Sequence, residues 1–193
     1  MLNLGTTSGS LPFVKFNAKT GTWSARLADG VTKTIGTPTF LAAFEEIRTG
    51  AALVKEGQAP IWVFDVDLKQ QSASPSAEYK RGFALPVFSR EHFGGLSEFS
   101  STSIYVGNAI KEFYAEWEAK QLNHLGKVPV VACTSTSLMK DRHGTNHKPI
   151  FTLLKWIDRP ADFSRTDGPM LPTSGPMSPS PAPVDDPFAL TEF

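Results

Sequence analysis

Cysteine is nearly absent from this sequence of 193 residues, in which Cys133 is the only example. A single thiol cannot form a disulfide within the chain, and this usage is typical of a reducing, cytoplasmic environment. Long apolar runs are also missing, because no segment approaches the roughly 18 consecutive apolar residues of a membrane-spanning helix. The N-terminal residues lack the basic start and apolar block of a secretory signal. We therefore predict a cytoplasmic protein with no membrane partner.

Net charge is absent too, because 19 basic residues balance 19 acidic ones. The charges are unevenly distributed along the chain. Residues 164–193 hold one basic and four acidic residues, which leaves 18 basic and 15 acidic residues in the preceding part. A mildly basic body with an acidic tail favours a protein that binds a polyanion and carries an acidic interaction segment.

Patterns that hold phosphates, metals or cofactors are missing as well. The sequence contains neither the G-x-x-x-x-G-K motif of a phosphate-binding loop nor the G-x-G-x-x-G motif of a dinucleotide-binding fold. Zinc sites need closely spaced ligand pairs, whereas His143 and His147 lie in a polar basic segment and Cys133 lies in an apolar run that follows His124. We predict no metal ion and no cofactor.

One pair of carboxylates suggests a catalytic alternative. Asp65 and Asp67 lie two residues apart in a predicted strand, which would place both side chains on one face. Paired carboxylates of this kind hold Mg²⁺ in nucleases. The solvated end of a strand explains the same pattern equally well, so a Mg²⁺-dependent nuclease is the third hypothesis.

The composition changes sharply after residue 163. Residues 164–184 are dominated by proline, serine and glycine and show no helical or strand period, so we predict a disordered linker. Residues 185–193 combine acids with Phe188, Leu190 and Phe193, which a mere solubility tail does not need. Three parts follow: a folded domain over 1–163, the linker, and an acidic partner-docking tip over 185–193.

Residues 1–163 are predicted to be mainly β with one clear helix. The helix pattern places Ile110, Phe113, Tyr114 and Trp117 on one face, with Asn108 as the N-cap and a stop at Gly126. Residues 38–48 fit a helix or a strand. The predicted strands cover 11–17, 23–27, 61–68, 79–88, 128–138 and 148–158, with 18–22 as a hairpin loop and 139–147 as a mobile polar loop.

Aromatic and basic residues interleave in several places, and this is the positive functional signal. Binding of single strands without sequence choice needs flat side chains for base stacking and cations for phosphates. Aromatic residues at strand period are more often part of a core, and a basic loop is more often simply solvated. The candidate DNA-binding residues are Lys19, Trp23, Tyr79, Lys80, Arg81, Phe83, Lys140, Arg142, His143, Lys148, Lys155 and Trp156.

The end of the chain carries a resemblance to a known family. Asp185, Asp186, Pro187 and Phe188, after the Pro/Ser/Gly-rich linker, resemble the C-terminus of bacterial and phage single-stranded-DNA-binding proteins. This resemblance implies an OB-fold-like β-barrel that binds the strand, and a tip that docks onto replication, recombination and repair enzymes. The chain continues beyond Phe188, so Phe193 is an alternative anchor.

The leading hypothesis is a non-enzymatic, sequence-tolerant single-stranded-DNA-binding protein of phage or bacterial DNA replication and recombination. It would act in the bacterial cytoplasm, recruit partner proteins through its tip, and could form a homo-oligomer. The alternative is a phage structural or assembly protein built on a small β domain.

Overall fold

A computed structural model of the chain describes residues 12–27, 30–55, 60–142 and 144–163. His143, the predicted linker and the predicted tip lie outside the described residues. The prediction of a mainly β fold with one clear helix is confirmed. The elements are β1 (Phe13–Asn17), β2 (Thr22–Arg26), β3 (Thr32–Ile35), β4 (Thr39–Ala42), β5 (Arg48–Leu53), β6 (Ile61–Phe64), β7 (Lys80–Ser89), α1 (Arg90–Phe93), β8 (Gly95–Ser101), α2 (Ile104–Lys120), β9 (Lys127–Asp141) and β10 (Gly144–Asp158), with single 3₁₀ turns at Phe44–Glu46, Gln121–His124 and Ala161–Phe163.

The strands form one open sheet, in the order β10-β9-β4-β7-β8-β1-β2-β3. β5 also pairs with β7, and β6 extends that branch from β5. The sheet is antiparallel apart from the β1–β8 pair. The 38–48 segment, which fitted either a helix or a strand, forms β4, a 3₁₀ turn and the start of β5.

The expected closure into an OB-like barrel is wrong. Within the described residues, β10 pairs only with β9 and β3 pairs only with β2. The reason lies at β10, where His147 donates one backbone hydrogen bond of 2.6 Å to Ala18 in the β1–β2 turn. On the other side Lys148 forms an ion pair with Glu112 of α2, at 2.6 Å. A turn and a helix thus lie against β10 where a closing strand would have to pair.

The inner face of the bent sheet packs against α2 around a cluster of aromatic rings. Trp23 lies at its centre, with its ring centroid 4.9 Å from Phe99 and 6.1 Å from Phe151. Its indole N–H contacts the Cys133 sulfur at 3.3 Å, and burial raises the pKa of that thiol. From α2 the residues Val106, Ala109, Ile110, Phe113 and Trp117 are buried in the same core.

Helix α2 begins one turn earlier than predicted. Ser103 is its N-cap and Asn108 lies exposed inside the helix. Val106 extends the apolar stripe toward the N-terminus and is fully buried, so packing favours the longer helix. The helix ends at Lys120, before the predicted stop: a 3₁₀ turn over Gln121–His124 follows it, and Gly126, with φ +74°, comes only after that turn.

The β9–β10 hairpin is paired almost to its tip, with two shifts of register along β10, so the predicted loop over 139–147 is wrong. Cross-strand pairing continues to Asp141 and Gly144. The end of the hairpin also contacts α2, where the Tyr105 hydroxyl donates a hydrogen bond to the Asp141 carboxylate. In the part of the chain that the structure describes, no helix is both long and apolar enough to cross a membrane.

Candidate nucleic-acid interface

Successive side chains of each strand alternate between the two faces of the sheet. The inner face contacts α2, and the outer face lies on the opposite side. On β1 the side chains of Val14 and Phe16 are buried on the inner face. The intervening Phe13 and Lys15 therefore point to the outer face, where Phe13 is half-buried and Lys15 is exposed. The outer face thus carries half-buried aromatic side chains beside exposed basic ones.

Six residues of this outer face form what we call the aromatic–basic face: Phe13, Lys15, Arg26, Arg48, Trp62 and Phe64. At one end, two cations lie close to the Phe13 ring. The Lys15 ammonium is 4.6 Å and the Arg26 guanidinium 5.8 Å from the centroid of its ring. The pairing of Phe13 with Arg26 across β1 and β2 fixes this arrangement.

At the other end, Trp62 and Phe64 stack on each other. Their ring centroids are 5.2 Å apart and their planes differ by 4°. The Arg48 guanidinium lies 3.9 Å from the Phe64 centroid and pairs with Glu98 at 3.0 Å. Both rings are half-buried, so an edge or face of each remains open to solvent.

Glycine at two positions lets the strands beneath these rings approach closely. A Cβ at Gly50 would lie 2.5 Å from the Val63 carbonyl oxygen, and one at Gly82 would lie 2.3 Å from that of Ser101. Larger residues would push β6 and β8 away from their neighbours. The glycines thus support the platform on which Trp62 lies.

A cavity of about 200 Å³ separates the two ends and is lined by both Lys15 and Trp62. Phe16, Val54, Pro60 and Ser100–Ser103 form the rest of its wall. It is smaller than the roughly 300–1,000 Å³ of pockets for drug-sized molecules. Its combination of an indole wall, an ammonium group and serine hydroxyls suits one flat polar group better than a whole metabolite.

Charge differs between the two sides of the molecule. The outer face exposes Lys15, Arg26 and Lys80. Lys80 and Trp62 lie on opposite sides of Ala52, with which each is paired. The solvent side of α2 and of the Phe44–Glu46 turn carries five glutamates, of which Glu45 and Glu46 pair with Arg159, Glu112 with Lys148 and Glu116 with Lys120. Most charges on the helix side are thus balanced by ion pairs, whereas the exposed cations of the outer face attract a polyanion.

The structure buries two of the aromatic residues predicted to contact DNA. Trp23 is 2% and Phe83 is 4% exposed, and both belong to the inner core. Neither ring can stack on a base while the core is intact, so both are removed from the candidate interface. Their period-2 spacing reflects core packing.

The predicted group around β7 also separates. Tyr79 precedes the strand and is half-buried, whereas Lys80 points to the outer face. Arg81 lies opposite Ala51 of β5, in a row of side chains that belongs to the inner face, and its guanidinium forms a bidentate ion pair with Asp65. Lys80 is thus the residue of this group that adjoins the aromatic–basic face.

The remaining predicted cations lie at other places. Lys19 is in the β1–β2 turn, Lys140 and Arg142 are at the far end of the β9–β10 hairpin, and Lys148 is paired with Glu112. Lys155 lines a groove at the opposite end of the outer face. The structure does not bring these cations together into one site.

Trp156 stacks on a partner of its own. Its ring centroid is 4.6 Å from that of His124, with 13° between the planes. This pair lies where the 3₁₀ turn after α2 meets β10, away from the aromatic–basic face.

Asp65 and Asp67 occupy a loop after β6, because the strand ends at Phe64 and not at residue 68 as predicted. Asp65 accepts hydrogen bonds from Arg81 at 2.8 Å, the Thr49 hydroxyl at 2.6 Å and the Ser72 amide at 2.7 Å. The Arg81 guanidinium holds the pKa of Asp65 well below its usual range.

Asp67 accepts two backbone hydrogen bonds from its own turn, from residues 69 and 70 at 2.7 and 2.8 Å. Each carboxylate therefore stabilises the loop fold. No group of three or more potential ligands that could hold a metal ion occurs within the described ranges.

Comparison with known proteins gave no match. No protein-family model, no curated protein and no solved structure is significantly similar to this chain. The resemblance of residues 185–188 to single-stranded-DNA-binding proteins therefore stays a prediction, carried by a segment outside the described residues.

Sequence reasoning missed most of the aromatic–basic face. Phe13 and Lys15 alternate with the buried Val14 and Phe16. Trp62 and Phe64 alternate with the exposed Ile61 and the half-buried Val63. The alternation of side chains along β1 and β6 was visible in the sequence. Alternation alone does not say which of the two sets of side chains in a strand faces solvent. Arg48 could not be found from the sequence, since it meets Phe64 and Glu98 only through the folded sheet.

Proposed function

We propose that this chain binds single-stranded DNA, without strong sequence preference, on the aromatic–basic face. The observation that carries the proposal is the placement of half-buried aromatic rings among cations on one side of an open sheet. Open aromatic planes and nearby cations are the two elements that sequence-tolerant single-strand binding requires.

The proposed mechanism divides the work between two kinds of side chain. Lys15, Arg26 and Lys80 attract the phosphates, and counterion release makes that contribution strongly salt-dependent. Trp62 and Phe13 then stack on unpaired bases, which every base permits because each has a π face. A duplex hides its base faces, so it offers only the phosphate contacts.

The cellular role that we propose is DNA replication and recombination in a phage or its bacterial host. The supporting features are the acids and phenylalanines of residues 185–193, which would recruit replication and recombination proteins. Acids steer a peptide toward a basic patch, and an aromatic side chain then fills an apolar pocket.

Fluorescence anisotropy with labelled oligo-dT and with a duplex of equal length tests the proposal. We expect the single strand to bind at least tenfold more tightly than the duplex at moderate salt. Lys15→Ala should weaken this binding, and Lys33→Ala is the matched control that should not. Lys33 is also exposed, but it lies on β3 opposite Ala25, in a row of side chains that belongs to the inner face. Equal affinity for both DNA forms would refute the proposal.

A structural or assembly protein is the second candidate, and the terminal strands of the open sheet favour it. Within the described residues, β3 and β10 each pair with a single strand. The β1–β2 turn and α2 lie against part of β10, yet Ile150 and Leu154 on it are 41% and 53% exposed. Unprotected edges promote strand pairing between copies. Concentration-dependent assembly without affinity for oligo-dT would support this alternative.

A further inference from the structure

A second cavity lies on the outer face, at the far end from Trp62. It has a volume of about 470 Å³ and opens across β4, β7, β9 and β10. Leu41, Phe88, Val130 and Ile157 form its apolar floor and wall, and Arg90 and Lys155 flank it. We call this cavity the β4–β10 groove.

The floor of the groove belongs to a packed apolar cluster. Leu41, Phe88 and Val130 are 7%, 8% and 8% exposed, and Phe163 packs against them with its ring 5.7 Å from Phe88. Stacking of bases needs an open aromatic face, and Phe88 does not present one. The groove therefore suits aliphatic and aromatic side chains of a peptide better than DNA.

The described chain ends beside this groove. Pro160 lines it, and Arg159 holds the Phe163 carbonyl with hydrogen bonds of 3.0 and 2.7 Å. Residues 164–184 then separate Phe163 from the tip. A linker of this length spans up to about 70 Å when fully extended, far more than the groove requires.

The tip has the chemistry that the groove would recognise. Asp185, Asp186 and Glu192 supply negative charge, and Phe188 and Phe193 supply large apolar side chains within the same nine-residue segment. The groove offers the complement: apolar walls between two cations. Tethering to the same chain also raises the effective concentration of the tip into the millimolar range for a flexible linker.

We propose that residues 185–193 dock into the β4–β10 groove of their own chain. The phenylalanines pack on Leu41 and Val130, and the acids pair with Lys155 and Arg90. Arg90 already pairs with Asp162, but the two side chains are 75% and 58% exposed, so exchange for a tip acid costs little. This docking is independent of the proposed DNA binding.

Methyl NMR spectroscopy of the full chain tests the docking directly. The comparison variant carries Phe188→Ser, Leu190→Ser and Phe193→Ser, and we call it the tip variant. These substitutions leave every described residue unchanged. Any shift at a described methyl group therefore reports a contact with the tip.

We expect the methyl resonances of Leu41, Val130 and Ile157 to shift in the tip variant, while those of Val14 and Val106 in the inner core stay in place. An unchanged groove would overturn the proposal. So would shifts confined to Val54, which lies in the cavity beside Trp62. Shifts that grow with protein concentration would place the tip of a second copy in the groove and overturn docking within one chain.

A second experiment tests the charge pairing. The tip substitutions are introduced both into the wild type and into a background that carries Arg90→Ala and Lys155→Ala together. The tip substitutions should change the groove shifts less than half as much in this background as in the wild type. Lys33→Ala with Lys140→Ala gives the matched control and should retain the full response. An equal response in all three backgrounds would contradict the pairing that the proposal requires.

Titration with oligo-dT separates this proposal from the DNA-binding one. Groove methyls that respond to oligo-dT but not to the tip substitutions would identify a DNA subsite and refute tip docking. If the groove responds to the tip and the chain has no affinity for oligo-dT, docking stands and the proposed function fails.

Discussion

Replacing Trp62 by alanine removes the largest open ring of the aromatic–basic face. Stacking of one base on an aromatic side chain contributes about 1–3 kcal/mol, so Trp62→Ala should weaken oligo-dT binding by roughly 5- to 150-fold. The substitution should cost less stability than the 3–5 kcal/mol typical of a core tryptophan, because Trp62 is half-buried on β6.

Trp156→Ala is the matched control for this experiment. Trp156 is also half-buried and also stacks on a neighbouring ring, that of His124, but it lies outside the aromatic–basic face. Affinity is measured by fluorescence anisotropy, and folding is checked by thermal unfolding of both variants. If Trp62→Ala stays within twofold of the wild type while Trp156→Ala weakens binding, the interface lies at β10 and our reasoning is refuted.

Three further predictions concern charge, pH and packing. The double variant Lys15→Ala/Arg26→Ala should reduce the slope of log affinity against log salt by about 1.4, since each phosphate contact to a single strand contributes roughly 0.7; an unchanged slope would remove these cations from the DNA path. The pKa of Asp65 is lowered in the folded state, so its stabilisation is present above the unfolded value of about 3.9 and is lost as pH falls further. Asp65→Asn should therefore lower the melting temperature at pH 7 and flatten its decline between pH 4 and 2; a decline as steep as in the wild type would contradict this. Gly82→Ala should destabilise the fold by about 1–3 kcal/mol in urea unfolding. Gly107→Ala, whose added Cβ meets no atom within 4 Å apart from its chain neighbours and the backbone of its own helix, should stabilise α2 by up to about 1 kcal/mol; equal effects would refute the close-approach argument.

Local patterns were sufficient to predict much of the secondary structure. The β1–β2 and β9–β10 hairpins follow from alternating segments joined by turn residues, and α2 follows from its apolar stripe. The helix start and the hairpin tip were misjudged because both depend on tertiary packing. Val106 is buried by the sheet, and Tyr105 holds Asp141 across 36 residues.

The path of the sheet could not be predicted from local patterns. Closure would require β10 to meet a strand, and α2 and the β1–β2 turn occupy that position instead. Which aromatic side chains are exposed could not be predicted from local patterns either. Trp23 and Trp62 both alternate with smaller residues in short strands, yet Trp23 is in the core and Trp62 lines a surface cavity.

Photocrosslinking locates the bound strand on the protein and tests the central claim most directly. The wild-type chain is bound to an oligo-dT in which one thymine is replaced by 5-iodouracil, irradiated, digested and examined by mass spectrometry. We predict crosslinks to Trp62 or Phe13, competed by unlabelled oligo-dT and lost at high salt. Crosslinks confined to the β9–β10 hairpin or to Trp156, or none under conditions in which the strand binds, would contradict the assignment of the aromatic–basic face.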